Sequence, residues 1–216
     1  ITIFIISSSL IEPTGYITGD STSYLRLSER ILDGHGFFIP ADGRTGATER
    51  WFATWPIGYP TLIAGISWTL GVSTMLASKI LNILLLNIAI LSLYFVLGRD
   101  GLIASLVLLT ASTLRNYTMT WSEAPFLTSL IILCLFIGKI VNNKSKISNK
   151  SLILLFFLLI LPFLFRYVGL FVLMPTFLIS VYLLFLNRKS DAFAILTIIF
   201  FAFIFCSIYL VNNIHL

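Results

Sequence analysis

Residues 75–97 read MLASKILNILLLNIAILSLYFVL, an apolar run whose single charge is Lys79. A helix needs about 20 largely apolar residues to cross the hydrocarbon core of a bilayer, so this stretch decides the fold class. Further apolar runs follow at 101–119, 124–141, 151–165, 168–187 and 192–211, some of them short or interrupted. Ile1–Ile11 adds a partial run, too short to cross and without the basic n-region of a signal peptide. The expectation is an all-α polytopic membrane protein of seven transmembrane helices, a single module over 1–216 that starts inside a first membrane helix. Pro162 and Pro175 are expected to kink their helices.

Composition agrees. Of the 216 residues 58% are hydrophobic and 11% charged, with a mean hydropathy of +1.00, against about 25% charged in a soluble domain. The net charge of +5 is not a nucleic-acid footprint, because the basic residues are scattered through short loops. Cys134 and Cys206 both fall inside apolar runs, so neither a disulfide framework nor a metal site follows from them.

Working outward from 75–97, the loops sort by charge. Lys139, Lys144, Lys146 and Lys150 mark one loop as cytoplasmic. Alternation then places Arg99, Arg188 and Lys189 on the same side. The other side receives residues 12–60, the loop at 116–123 and the turn at 166–169. Residues 61–71 are apolar but short, which favours an interfacial or re-entrant segment. If they crossed, 12–60 would move to the cytoplasm.

The 12–60 stretch is the only long polar segment and carries six of the nine acids: Glu12, Asp20, Glu29, Asp33, Asp42 and Glu49. Within it, Tyr24, Leu27, Ile31 and Leu32 recur at helical spacing over 21–34. That pattern predicts an amphipathic helix lying flat on the outer membrane surface.

Four places in the chain draw chemical attention. Asp20, in Gly19-Asp20-Ser21, reads either as an N-cap or as a carboxylate fixed at the bilayer surface and able to act as a general base. Glu123, in Trp121-Ser122-Glu123-Ala124-Pro125, reads either as a helix-start acid favoured by the dipole or as a second carboxylate converging from another loop. Arg166 follows fifteen uncharged residues. It either snorkels from a helix end or offers its guanidinium to a lipid-linked phosphate, a task for which Lys79 and Arg115 are weaker candidates that read better as interfacial anchors. The run Trp55-Pro56-Ile57-Gly58-Tyr59-Pro60 is an aromatic belt on a rigid turn, or a surface for a sugar or lipid chain. Asn116-Tyr117-Thr118 matches an N-glycosylation acceptor.

The order of these motifs resembles the polytopic GT-C glycosyltransferases, especially the protein O-mannosyltransferase and aminoarabinose-transferase-like group. Gly19-Asp20 with Tyr24 four residues on matches a Gly-Asp-(acid)-x-x-Tyr stretch, with Ser21 where many relatives carry the second acid. Trp55-Pro56-Ile57-Gly58-Tyr59-Pro60 matches a Pro-Pro-Gly-Tyr-Pro stretch, with Trp55-Pro56-Ile57 where Pro-Pro is common. Ser122-Glu123 opens a later helix. The resemblance implies transfer of a sugar from a polyprenyl-phosphate donor to a glycan, lipid or protein acceptor on the extracytoplasmic face of a plasma or ER membrane. It implies Asp20 as the base, Glu123 as a holder of donor or acceptor, and Arg166 at the carrier phosphate. Tyr24, Trp55 and Tyr59 would frame the substrate. A monophosphate leaving group needs little charge compensation, so no metal or other cofactor is required. The rival readings are a transporter or lipid flippase, and a non-catalytic or degenerate membrane subunit.

Overall fold

A computed structural model of the chain describes residues 17–40, 49–143 and 145–215. The partial run at 1–11, Glu12 and Asp42 lie outside the described residues. The elements are α1 (Gly19–Leu32), β1 (Phe38–Pro40), β2 (Glu49–Trp51), α2 (Gly58–Leu70), α3 (Thr74–Leu97), α4 (Arg99–Ser105), a 3-10 turn (Leu106–Leu109), α5 (Ala111–Thr118), α6 (Glu123–Asn142), α7 (Asn149–Phe165), a 3-10 turn (Tyr167–Val172), α8 (Leu173–Phe185) and α9 (Lys189–His215).

Four segments are helical, apolar and long enough to cross a membrane: Thr74–Leu97, Glu123–Asn142, Tyr167–Phe185 and Lys189–Asn213. Their outward faces carry large apolar side chains, among them Phe95 at 78% exposure and Phe185 at 82%. Such a surface suits lipid rather than water. The seven expected spans reduce to these four among the described residues. α7 is apolar but has only 17 residues.

The 101–119 run is not one helix. α4 gives way to the 3-10 turn, and Thr110 is extended (φ −65°, ψ 148°) before α5 begins. Before the break α4 is pressed closely onto α3: a Cβ on Gly101 would lie 2.1 Å from the Leu93 carbonyl oxygen. The chain still returns to the Thr74 end. Asn82 and Lys79, in the first turns of α3, donate to backbone carbonyls at Tyr117, Thr118 and Met119. Thr118 is buried there, so the Asn116-Tyr117-Thr118 acceptor pattern is built into the fold.

The apolar side chains form three packed groups. One joins α6, α7, α8 and α9 around Leu133, Leu155, Leu183 and Ile195. A second joins α1, α2 and α3 around Tyr24, Tyr59, Ile63 and Leu81. A third sets α5 against α3 and α6 around Leu86, Tyr117 and Ala124. The second group corrects the reading of α1 as a flat surface helix. Tyr24, Leu25, Leu27 and Ser28 are buried, and Ser28 Oγ donates to the Pro60 carbonyl at the start of α2. Of the apolar stripe, Tyr24 and Leu27 are taken by protein, while Ile31 is half-buried and Leu32 stays exposed.

α2 does not cross. Its 13 residues span about 20 Å at roughly 1.5 Å per residue, short of the ~30 Å core. It starts against α1, ends at Gly71 in the left-handed region (φ +63°), and hands over to α3. There Thr74 Oγ1 donates to Glu29 of α1. Both ends of α2 therefore sit at one end of the bundle. Pro162 lies inside α7, whereas Pro175 falls in the first turn of α8, where no intrahelical N–H is lost.

The hairpin was not foreseen. β1 and β2 pair antiparallel with Phe38 opposite Trp51, and three-residue strands leave too little alternation to read in a sequence. At the opposite end of the bundle, Arg188 is ion-paired with Asp191 and donates to the Ile140 and Val141 carbonyls. Asp191 also accepts from the Ile147 amide. The basic loops therefore do gather at one end, as the charge pattern predicts.

Candidate active site

The site end is organised by α1. Its N-cap is Thr18, whose Oγ1 accepts from the Ser21 amide, so the capping role proposed for Asp20 belongs to Thr18. Asp20 instead sits in the first turn of α1, where the helix dipole favours its charge. It is exposed, and among the described residues it makes no hydrogen bond or ion pair. A carboxylate so placed keeps its lone pairs available.

Two contacts bind α1 to the loop before α6. Trp121 Nε1 donates to Thr18 Oγ1 at 2.8 Å, and the Tyr24 hydroxyl donates to Ser122 Oγ at 3.0 Å. Beside this seam Arg166 is ion-paired with Glu123, and both side chains remain about one-third exposed (33% and 31%). The two were expected to address substrate independently. Instead each is the other's nearest charge, which holds the guanidinium at the top of α7 and fixes the carboxylate at the start of α6.

The aromatic candidates complete the wall. Tyr24 meets Tyr59 edge-on at 5.4 Å between ring centroids and Trp55 at 6.4 Å. Tyr59 is fully buried and donates to Asn82 Oδ1 at 3.0 Å, while Asn82 Nδ2 donates to the Tyr117 and Met119 carbonyls. Burial pushes the Tyr24 phenol up to about 12. The Ser122 hydrogen bond opposes this, Glu123 and Asp20 add to it, and Arg166 counters it. All three ionic candidates thus act on one hydroxyl. Tyr59 is raised still further, chiefly by burial, and stays a neutral donor.

The structure therefore brings Asp20, Tyr24, Trp55, Tyr59, Glu123 and Arg166 to one place. Sequence reasoning missed Asn82, and it misjudged Lys79. Lys79 is no interfacial anchor: it is 6% exposed and donates to the Thr118 carbonyl at 2.7 Å and to Thr120 Oγ1 at 3.2 Å. The signal was present. Polar residues three apart inside an apolar helix share a face and need buried partners. Arg115 is exposed on α5. Among the described residues, no group of three His, Cys, Asp or Glu side chains is arranged to hold a metal.

An apolar groove of about 500 Å³ runs between α2, α3, α6 and α7. Pro125, two residues after Glu123, and Phe165, next to Arg166, line it together with Gly58, Leu85, Ile132 and Leu161, so its lining comes within two residues of the ion pair on both sides. Thr61, Thr128 and Ser129 also line it, but the surface it presents is almost wholly apolar, which suits a hydrocarbon chain. Comparison with protein-family models, with curated proteins and with solved structures found no match.

Proposed function

We propose that this protein is an integral membrane glycosyltransferase that takes a sugar from a polyprenyl-phosphate carrier and moves it to an acceptor hydroxyl on the extracytoplasmic face. The resemblance of its motif order to the GT-C glycosyltransferases motivates the reading. The observation that carries it is the apolar groove whose lining comes within two residues of the Arg166–Glu123 pair.

In this mechanism the isoprenoid tail occupies the groove and the phosphate lies at its head, against Arg166. Asp20 accepts the proton of the acceptor hydroxyl as that oxygen attacks the anomeric carbon. The bond from the anomeric carbon to the phosphate oxygen breaks, its electron pair leaves with the carrier phosphate, and the anomeric configuration inverts. Arg166 stabilises the charge that develops on the leaving oxygen. Glu123 keeps the guanidinium oriented before the donor arrives. Tyr24 stays protonated at neutral pH and, by donating to Ser122, holds the start of α6 against α1, and Trp55 offers a ring face to the sugar. No metal is needed for these steps.

The test is Asp20→Asn. Transfer from a labelled polyprenyl-phosphate sugar in membranes is expected to fall by at least about a thousandfold, within the range for loss of a general base combined with lost orientation. Insertion should be unchanged and stability should fall by no more than about 1 kcal/mol, the lost interaction with the α1 dipole, because Asp20 is exposed. Wild-type turnover in this variant would refute the mechanism.

A further inference from the structure

The groove accounts for one substrate, and a transferase needs two. The groove draws no residue from α1. A separate polar cleft of about 180 Å³ lies between α1 and the hairpin, lined by Ser23, Arg26, Pro40, Arg50, Phe52 and Thr54 among others. Ser23 is three residues after Asp20 on α1, so the cleft begins one helical turn from the proposed base.

Its lining is built rather than accidental. In β2, successive side chains point to opposite faces. Glu49 is ion-paired with Arg30 and lies 3.3 Å from His35, and Trp51 donates to Asn213. Arg50, between them, projects to the other face and lines the cleft. Among the described residues Arg50 has no ion pair. Arg26 has an interaction of its own within the chain, so the cleft's charge rests first on Arg50. The Thr54 hydroxyl adds a short donor, the Ser23 hydroxyl, which donates to the Gly19 carbonyl, can accept from a protonated phosphate oxygen, and buried Phe52 closes the floor.

We propose that this cleft binds a phosphate group carried by the acceptor. A guanidinium fork matches phosphate geometry bidentately, and Ser and Thr hydroxyls complete such a cradle. The cleft is too small and too polar for a lipid tail, and its place one turn from Asp20 would hold the acceptor so that a hydroxyl beside the phosphate reaches the base. The word acceptor rests on the transferase reading; the phosphate cleft itself does not. Two sources share this chemistry, a soluble sugar phosphate and a lipid headgroup, and they are separable by experiment.

The full chain in phosphatidylcholine nanodiscs is titrated with glucose 6-phosphate while the fluorescence of the nearby Trp51 and Trp55 is followed. Saturable quenching is expected with glucose 6-phosphate and not with glucose. Arg50→Gln, an exposed strand position that should fold normally, is expected to raise the half-saturation concentration at least tenfold. Equal titration of wild type and R50Q, or equal quenching by glucose, overturns the proposal. In nanodiscs containing phosphatidylglycerol, suppression of the soluble titration assigns the phosphate to a lipid headgroup, and its persistence assigns it to a soluble acceptor. A fluorescent polyprenyl phosphate is titrated in parallel. R50Q should bind it as wild type does; if wild type fails to bind it, the transferase reading fails while the cleft result stands.

Discussion

At the scale of single residues, Tyr24 concentrates the site's electrostatics. Its phenol is buried and donates to Ser122, and burial pushes its pKa up to about 12, against about 10 for an unfolded tyrosine. Between those values the unfolded chain releases a proton that the folded chain keeps. The Tyr24 contribution to stability is therefore complete below about pH 10 and is lost as pH rises towards 12. Thermal midpoints at pH 8 and pH 11 should show wild type losing more stability than Tyr24→Phe. The variant itself should cost about 1 kcal/mol at pH 8 for the missing hydrogen bond. Identical losses in the two proteins would exclude the assignment. Asp20 differs because among the described residues it has no hydrogen bond or ion pair, and only the dipole of α1 favours its charge. Its removal should therefore cost transfer and no more than about 1 kcal/mol of stability.

At the scale of elements, close approach of backbones shapes the groove. A Cβ on Gly58 would lie 2.5 Å from the Leu164 carbonyl oxygen, a contact with backbone that cannot step aside. Gly58→Ala should cost about 1–3 kcal/mol, as overpacking does, and should lever α2 away from α7 at the mouth of the groove. Gly65→Ala is the control: it has nothing within 4 Å and should be neutral or gain up to about 1 kcal/mol from helix propensity. Thermal unfolding of the two variants in detergent checks both, and equal midpoints would count against a tight α2–α7 contact. These approaches also mark the limit of what a sequence can tell. The helical period of α1 and the charge of the 139–150 and 188–191 loops were readable, because each depends on neighbours along the chain. The Arg166–Glu123 pair, the broken return through Thr110 and the burial of α1 by α2 depend on which elements meet, and residues 43 positions apart leave no local trace of it.

At the scale of the molecule, the site end is sewn together by the far end of α9. Asn213 accepts from Trp51 Nε1 at 2.7 Å and donates to the Tyr167 hydroxyl at 2.9 Å, Tyr167 donates to the Ala53 carbonyl, and the Ile57 amide donates to Tyr209. Asn213→Ala removes two of these bonds, at about 1 kcal/mol each. Backbone amides around Trp51 should then exchange at least about tenfold faster with solvent, while α3 and α6 keep their protection. Unchanged exchange at Trp51 would show that the hairpin holds without α9. This stitching has a consequence for biogenesis. All six candidate residues are synthesised before α9, yet Trp51, Ile57 and Tyr167 must wait for Tyr209 and Asn213. During synthesis the face that carries the candidate residues would stay unlatched until the last described helix had entered the bilayer.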